Sequence, residues 1–204
     1  MSRNIPDSPQ IRARTATVFD LEFTAWEGSL QRRWMGPGEY KELVQIGAVK
    51  VDTGTFEVLA EFDVLVRPRL NPLLSGYFEK LTGITNAAVA GRGVDFVEAH
   101  DRFRAFCDGA PICAFGRDDL IFEENIRLYG IRDAAPLPPY VNAIWTLIAN
   151  GIDPRGFHAC DVARLCGAAF EGRAHDALAD ARSVALGLQA LVQRGARNPF
   201  AEFL

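Results

Sequence analysis

The chain has 204 residues, 49% of them hydrophobic and 24% charged, with a formal net charge of −4. That length and apolar content suit one compact domain with a full core; so small a negative charge excludes attraction of a polyanion by the molecule as a whole, and no apolar run approaches the roughly 20 residues of a membrane helix. The polar N-terminus and four cysteines without CxxC spacing (Cys107, Cys113, Cys160, Cys166) lead us to expect a cytoplasmic protein with reduced thiols and no membrane partner.

Residues 1–15 read as a flexible N-terminal segment ahead of a single domain over 16–204. Thr17 to Phe23, Leu43 to Val51 and Val58 to Val66 read as strands, and Asp52-Thr53-Gly54 as the hairpin turn between the last two. The segment from Gln31 to Tyr40, with Trp34, Met35 and two glycines, looks inserted between the first two strands; it either flanks a substrate channel or forms a homodimer contact. A Pro-rich loop (Arg67 to Pro72) follows the third strand, then a short helix at Tyr77 to Leu81 and a longer one at Val94 to Cys107. Ile112 to Phe115 reads as a short buried strand running into a helix from about Asp118 to Tyr129, with Gly130 as its stop. Tyr140 to Ile148 reads as a strand with the start of a helix, Phe157 to Cys166 as a helix capped by Gly167, and Asp176 to Arg194 as a strongly amphipathic helix. Three antiparallel strands followed by alternating helix and strand predict an α/β fold with a mixed sheet flanked by helices.

Three sets of acidic residues fall where the core should be. In the first strand Asp20 and Glu22 are two apart and share a face, while Phe19, Leu21 and Phe23 take the other. Adjacent like charges on a central strand are costly unless a cation lies between them, although an isolated Asp-x-Glu is more often an ordinary exposed pair. In the last helix Asp180 occupies the apolar stripe of Ala177, Ala181, Val184 and Leu188. His175 lies about 140° from Asp180 on a helical wheel, which places it on the loop before the helix. Asp119 follows the short strand, beyond whose carboxyl end ligands gather in α/β sheets. It shares a helix face with Phe122 and Ile126, whereas its neighbour Asp118 suits the helix cap. With so little net charge any nucleic-acid site must be local, and Arg67, Arg69, Arg92, Arg117, Arg155 and Arg173 fall in predicted loops where they can meet phosphates. Most surface arginines are simply solvated. A zinc site on His158, Cys160 and Cys166 fits no common ligand spacing.

In order, Phe-Asp20-Leu-Glu22-Phe-Thr, Ala-Phe-Gly-Arg-Asp-Asp119 and His175-Asp-Ala-Leu-Ala-Asp180-Ala-Arg resemble the DEDDh 3'-5' exonuclease superfamily, as do Leu43-Val-Gln-Ile-Gly-Ala-Val and Leu81-Thr-Gly-Ile-Thr. A histidine five residues before Asp180 fits the DEDDh rather than the DEDDy variant. The stretch from Glu22 to Glu27 and the pair Phe115-Gly116 are most similar to the Eri-type exoribonuclease branch. The resemblance implies a ribonuclease H-like five-stranded sheet and release of 5'-mononucleotides from single-stranded 3' ends, with RNA favoured over DNA. It implies two Mg²⁺ or Mn²⁺ ions: Asp20 bridging both, Glu22 and Asp180 on the first, Asp119 on the second directly or through water, with His175 as general base. It also implies that Phe23, Thr24, Trp26 and Phe115 seat the terminal nucleotide, aromatic stacking being indifferent to sequence. Three alternatives stay open at this point: a proofreading-type DNA exonuclease, an RNase H-type endonuclease, and a degenerate domain that only binds nucleic acid or protein.

Overall fold

The computed structural model describes residues 14–203; the expected N-terminal segment lies almost wholly outside them. The central strand, β1 (Thr15–Phe23), starts two residues before the expected Thr17. It pairs antiparallel with β2 (Leu43–Asp52), which pairs antiparallel with β3 (Val58–Leu65). On its other side β1 pairs parallel with β4 (Ile112–Ala114), and β4 with β5 (Tyr140–Asn142), giving the order β3-β2-β1-β4-β5. This is the mixed five-stranded sheet expected from the sequence. The β2–β3 turn is built on Asp52, whose Oδ1 accepts from the backbone N–H of Gly54 and Thr55.

Helices cover both faces, and strand alternation decides which residues meet which helices. Phe19 and Leu21 join Ile46, Phe96, Phe103 and Phe122 in one buried cluster against α4 (Phe96–Cys107) and α5 (Asp119–Leu128). Val18, Val49 and Val51 pack on the opposite face with Val184, Leu188 and Leu191 of α8 (Ala177–Gln193). Asp20 and Glu22 therefore face α8. A third cluster (Val44, Leu65, Leu74, Phe78, Ile84, Val89) seats α2 (Gly76–Thr82) and α3 (Asn86–Arg92) at one end of the sheet.

Several elements differ from expectation for local reasons. The inserted segment contains a single helical turn, α1 (Ser29–Arg32), opened by Gly28 in the left-handed region. α3 went unread because its sequence has no apolar period, yet the Thr85 side chain caps it. α4 starts at Phe96 because Asp95 caps the Val97 N–H, and Val94 instead bridges Val66. Tyr140 to Ile148 divides as expected into β5 and α6 (Ala143–Ala149), the Asn142 side chain accepting from the Ile144 N–H at the change of direction. The helix expected over Phe157 to Cys166 is only a 3-10 turn (Ala159–Asp161) and one short helix, α7 (Val162–Leu165).

Candidate active site

The carboxyl ends of β1 and β4 lie side by side, and α8 begins above them. Close approach of α8 depends on Gly47 of β2, the register partner of Asp20. A Cβ there would lie 2.0 Å from the Leu178 nitrogen and 2.1 Å from the Ala177 carbonyl carbon, so only glycine lets the first turn of α8 rest on the sheet. Gln45, the partner of Glu22, fixes the azimuth: its Oε1 accepts from the Ala177 N–H at 3.0 Å while its Nε2 donates to Asp63. Asp176 caps the helix through the N–H groups of Leu178 and Ala179. Asp180, one turn in, is thereby lowered onto Asp20 and Glu22.

All three carboxylates are buried, at 9% exposure for Asp20, 7% for Glu22 and 3% for Asp180. Burial raises each above the ordinary carboxylate range. Asp118, Glu22 and Asp180 add to the effect on Asp20, and Asp180, Asp118 and Asp176 to that on Glu22. Asp180 is pushed up to about 7 by burial even though its Oδ2 accepts the His175 N–H at 3.2 Å. Its Oδ1, fully buried, finds no hydrogen-bond partner among the described residues. Such a group is expensive unless something cationic meets it.

Asp118, the neighbour of the expected Asp119, also acts on the charges of this cluster. Asp118 stands at the N-cap position of α5 but with helical backbone (φ −65°, ψ −24°) and no side-chain cap hydrogen bond. Its charge acts on both Asp20 and Glu22, and it is itself pushed up to about 7, by burial and then by Asp119. Asp119 is instead held by Arg117, which donates from Nε at 2.8 Å and Nη2 at 2.7 Å.

His175 sits just outside α8, as its spacing required, with φ 60°. The left-handed backbone is uncommon for a non-glycine residue and aims its ring at the acids. Glu22, His175 and Asp180 each offer an atom within 4.8 Å of the others. Burial, and then His158, hold the His175 pKa below its ordinary value; the two imidazoles meet edge-on, 5.7 Å between centroids. His158, Cys160 and Cys166 form no comparable group among the described residues, and the cysteines are free.

A cleft of about 450 Å³ opens over these groups, lined by Asp20, Glu22, His175 and Asp180 and by Phe23, Trp26 and Phe115. Thr24, also expected there, is occupied elsewhere. Its hydroxyl donates to the Tyr40 carbonyl and accepts from the Glu42 N–H, and its own carbonyl accepts from the Trp34 indole. Trp34, His158, Leu30, Tyr77 and Leu81 line the cleft without having been read as site residues. A lone aromatic in an irregular segment carries no period to betray it.

The donor set fits divalent cations: clustered carboxylate oxygens suit hard ions such as Mg²⁺ and Mn²⁺, and the unpartnered Asp180 Oδ1 lies among them.

An acid cluster at the carboxyl end of a central strand, on a mixed sheet with helices on both faces, defines the class as a nuclease. The chain belongs to the exonuclease family, whose RNase T profile matches residues 17–186. No curated protein sequence gives a significant match. Among solved structures, the nuclease domain of 3'hExo, a DEDDh family member bound to rAMP, aligns at TM-score 0.76 and 21% identity over 90% of this chain and 94% of its own. A 3'-exonuclease in 3'-end specific recognition of histone mRNA stem-loop gives 0.75 and 20% over 90% and 84%. Escherichia coli exonuclease I in complex with a dA16 oligonucleotide gives 0.65 and 16% over 91% and 42%. No helix among the described residues is long and apolar enough to cross a membrane.

Proposed function

We propose that residues 16–204 form one catalytic domain that removes 5'-mononucleotides from the 3' ends of single-stranded nucleic acid, RNA in preference to DNA, in the cytoplasm. The observation that carries this reading is the convergence of Asp20, Glu22 and Asp180 with the His175 imidazole in an aromatic-lined cleft, with the charge of Asp118 acting on the first two. Asp20, Glu22, Asp118 and Asp180 would hold two Mg²⁺ or Mn²⁺ ions. When bound, these supply the charge that activates the attacking water and stabilises the departing 3'-oxygen.

The chain's own residues do the rest. His175, kept neutral at pH 7 by its lowered pKa, accepts the proton of the attacking water at a ring nitrogen. Its N–H bond to Asp180 ties the loop that carries it to the acid cluster. Phe23, Trp26 and Phe115 offer ring surface to the terminal nucleotide, a mode of holding that does not read sequence. Preference for RNA is supported by the Eri-type motif around Glu22 and by similarity to a 3'-exonuclease recognising an mRNA stem-loop. Similarity to exonuclease I with its dA16 oligonucleotide supports DNA as the second reading.

The test is a digest of 5'-labelled single-stranded RNA and DNA of matched sequence with Mg²⁺, Mn²⁺ or EDTA. The expected result is a ladder shortening from the 3' end in metal alone, faster on RNA. Internal fragments from a circular strand would replace this reading with an endonuclease, and an intact strand in every metal would leave a binding domain.

A further inference from the structure

The inserted segment between β1 and β2 contributes Leu30 and Trp34 to the wall of the cleft that holds Asp20, Glu22, His175 and Asp180. It is a built structure rather than a slack loop. Gly28 opens it in the left-handed region and an Arg32–Glu39 ion pair closes it, with the Gly36 N–H on the same carboxylate. Arg33 and Trp34 both stand at φ 55°. Consecutive non-glycine residues in that region are strained, and such strain persists mainly where surrounding structure enforces it, typically at ligand clamps.

Trp34 is then pinned. Its indole Nε1 donates to the Thr24 carbonyl at 2.8 Å, its ring meets Phe23 at 5.4 Å between centroids, and the Lys41 ammonium lies 5.0 Å from it. The indole N–H satisfied inside the protein leaves hydrocarbon ring surface for the cleft. Beside it Leu30 is 66% exposed, an apolar side chain at the cleft whose burial no described residue provides. A rigid ring and an open apolar side chain beside a phosphodiester-cleaving centre match the face of an unpaired base.

We infer that Trp34 and Leu30 form a stacking platform for one base of the substrate's unpaired 3' end, making this insertion the element that selects single-stranded ends. A base already stacked within a duplex cannot lie on it. This rests on the exonuclease reading above and extends it to residues that play no part in the chemistry.

The experiment compares the wild type with Trp34→Ala, Trp34→Phe and Leu30→Ser on a 5'-labelled single-stranded oligonucleotide. Two copies of that strand serve as probes, abasic at the terminal or the penultimate position. Trp34→Ala should raise KM on the intact strand about 5- to 150-fold, the range that base–aromatic stacking covers, with the effect on KM rather than kcat. Trp34→Phe should recover most of it. One of the two abasic strands should raise KM for the wild type by a similar factor and abolish the difference between wild type and Trp34→Ala, because the same contact cannot be lost twice. Should Trp34→Ala fail to fold, the exposed Leu30→Ser gives the same test with a smaller shift. An unchanged KM, or an equal penalty on intact and abasic strands alike, overturns the platform; in the second case the side chain acts on the strand's backbone or on the shape of the cleft rather than on a base. A wild type that shortens no strand in Mg²⁺ or Mn²⁺ overturns the exonuclease reading instead, so the two failures are distinguishable.

Discussion

Two adjacent aspartates sit at the start of α5, and the proposed mechanism gives the metal-holding role to Asp118. Its charge acts on Asp20 and Glu22, while Asp119 is engaged by a two-pronged Arg117 contact. Asp118→Asn should therefore lower kcat/KM by about 10³-fold or more and weaken Mn²⁺ binding by calorimetry. Asp119→Asn should stay within about fivefold of wild type, the usual scale of an exposed ion pair. The reverse ranking would restore Asp119 as the ligand. His175 poses a second question, because it lies within ligand distance of Glu22 and Asp180 and yet is read as a base. A base acts on kcat: His175→Ala should cost about 10²- to 10⁴-fold in turnover with Mn²⁺ affinity retained. A parallel collapse of affinity would make it a ligand.

At the scale of elements, the three antiparallel strands, the face of β1 and the stripe of α8 were all legible, because alternation and helical period are properties of the backbone that sequence displays directly. Asp20 and Glu22 appeared on one face, and Asp180 on a packing stripe, for that reason. What stayed hidden was how elements touch. Gly47 sits in an unremarkable apolar run, yet the start of α8 rests on its hydrogen. Gly47→Ala should lift that helix end, destabilise the fold by about 3 kcal/mol and cost activity beyond what the lost stability explains; urea denaturation beside kinetics would show both. Glu42 was hidden in the same way. Fully buried, it accepts from the backbone N–H groups of Arg69, Leu70 and Asn71, from the Asn71 side chain and from the Tyr129 hydroxyl. It thereby ties β2, the loop after β3 and the end of α5 together. Asn125 does similar work, accepting from the Leu43 N–H and donating to the carbonyls of Lys41 and Ile121. Single polar residues that tie distant segments together have no local signature, since most of their partners lie far away in sequence.

For the whole molecule, the site is a cost that folding must carry until a cation arrives. Unfolded carboxylates titrate near 4, whereas Asp118 and Asp180 are pushed up to about 7 and Asp20 and Glu22 well above their ordinary value, burial being the first cause in each case. A folded-state pKa above the unfolded one means that the native protein binds more protons across that interval, so stability without metal falls as pH rises through it. Histidines act oppositely. His100 and His175 have lowered pKa values, chiefly from burial, so their contribution is lost as pH falls below about 6.5. The buried thiols Cys107 and Cys113 enter only above roughly 8.5. The acid cluster therefore acts unopposed by the histidines from about pH 6.5 up through the folded-state value of about 7 for Asp118 and Asp180. In EDTA the melting temperature should fall across that window. Saturating Mg²⁺ or Mn²⁺ should raise it most at pH 8, because the ion binds the folded, deprotonated site and stabilises it by mass action, about 2.7 kcal/mol at a hundredfold excess over Kd. Asp20→Asn and Asp180→Asn should each melt higher than wild type in EDTA at pH 8 and gain little from metal, since removing one charge relieves the repulsion and spoils the site together. A wild-type melting temperature flat in pH and indifferent to divalent ions would show that these carboxylates are compensated within the protein, and the metal-dependent reading would fall with that result.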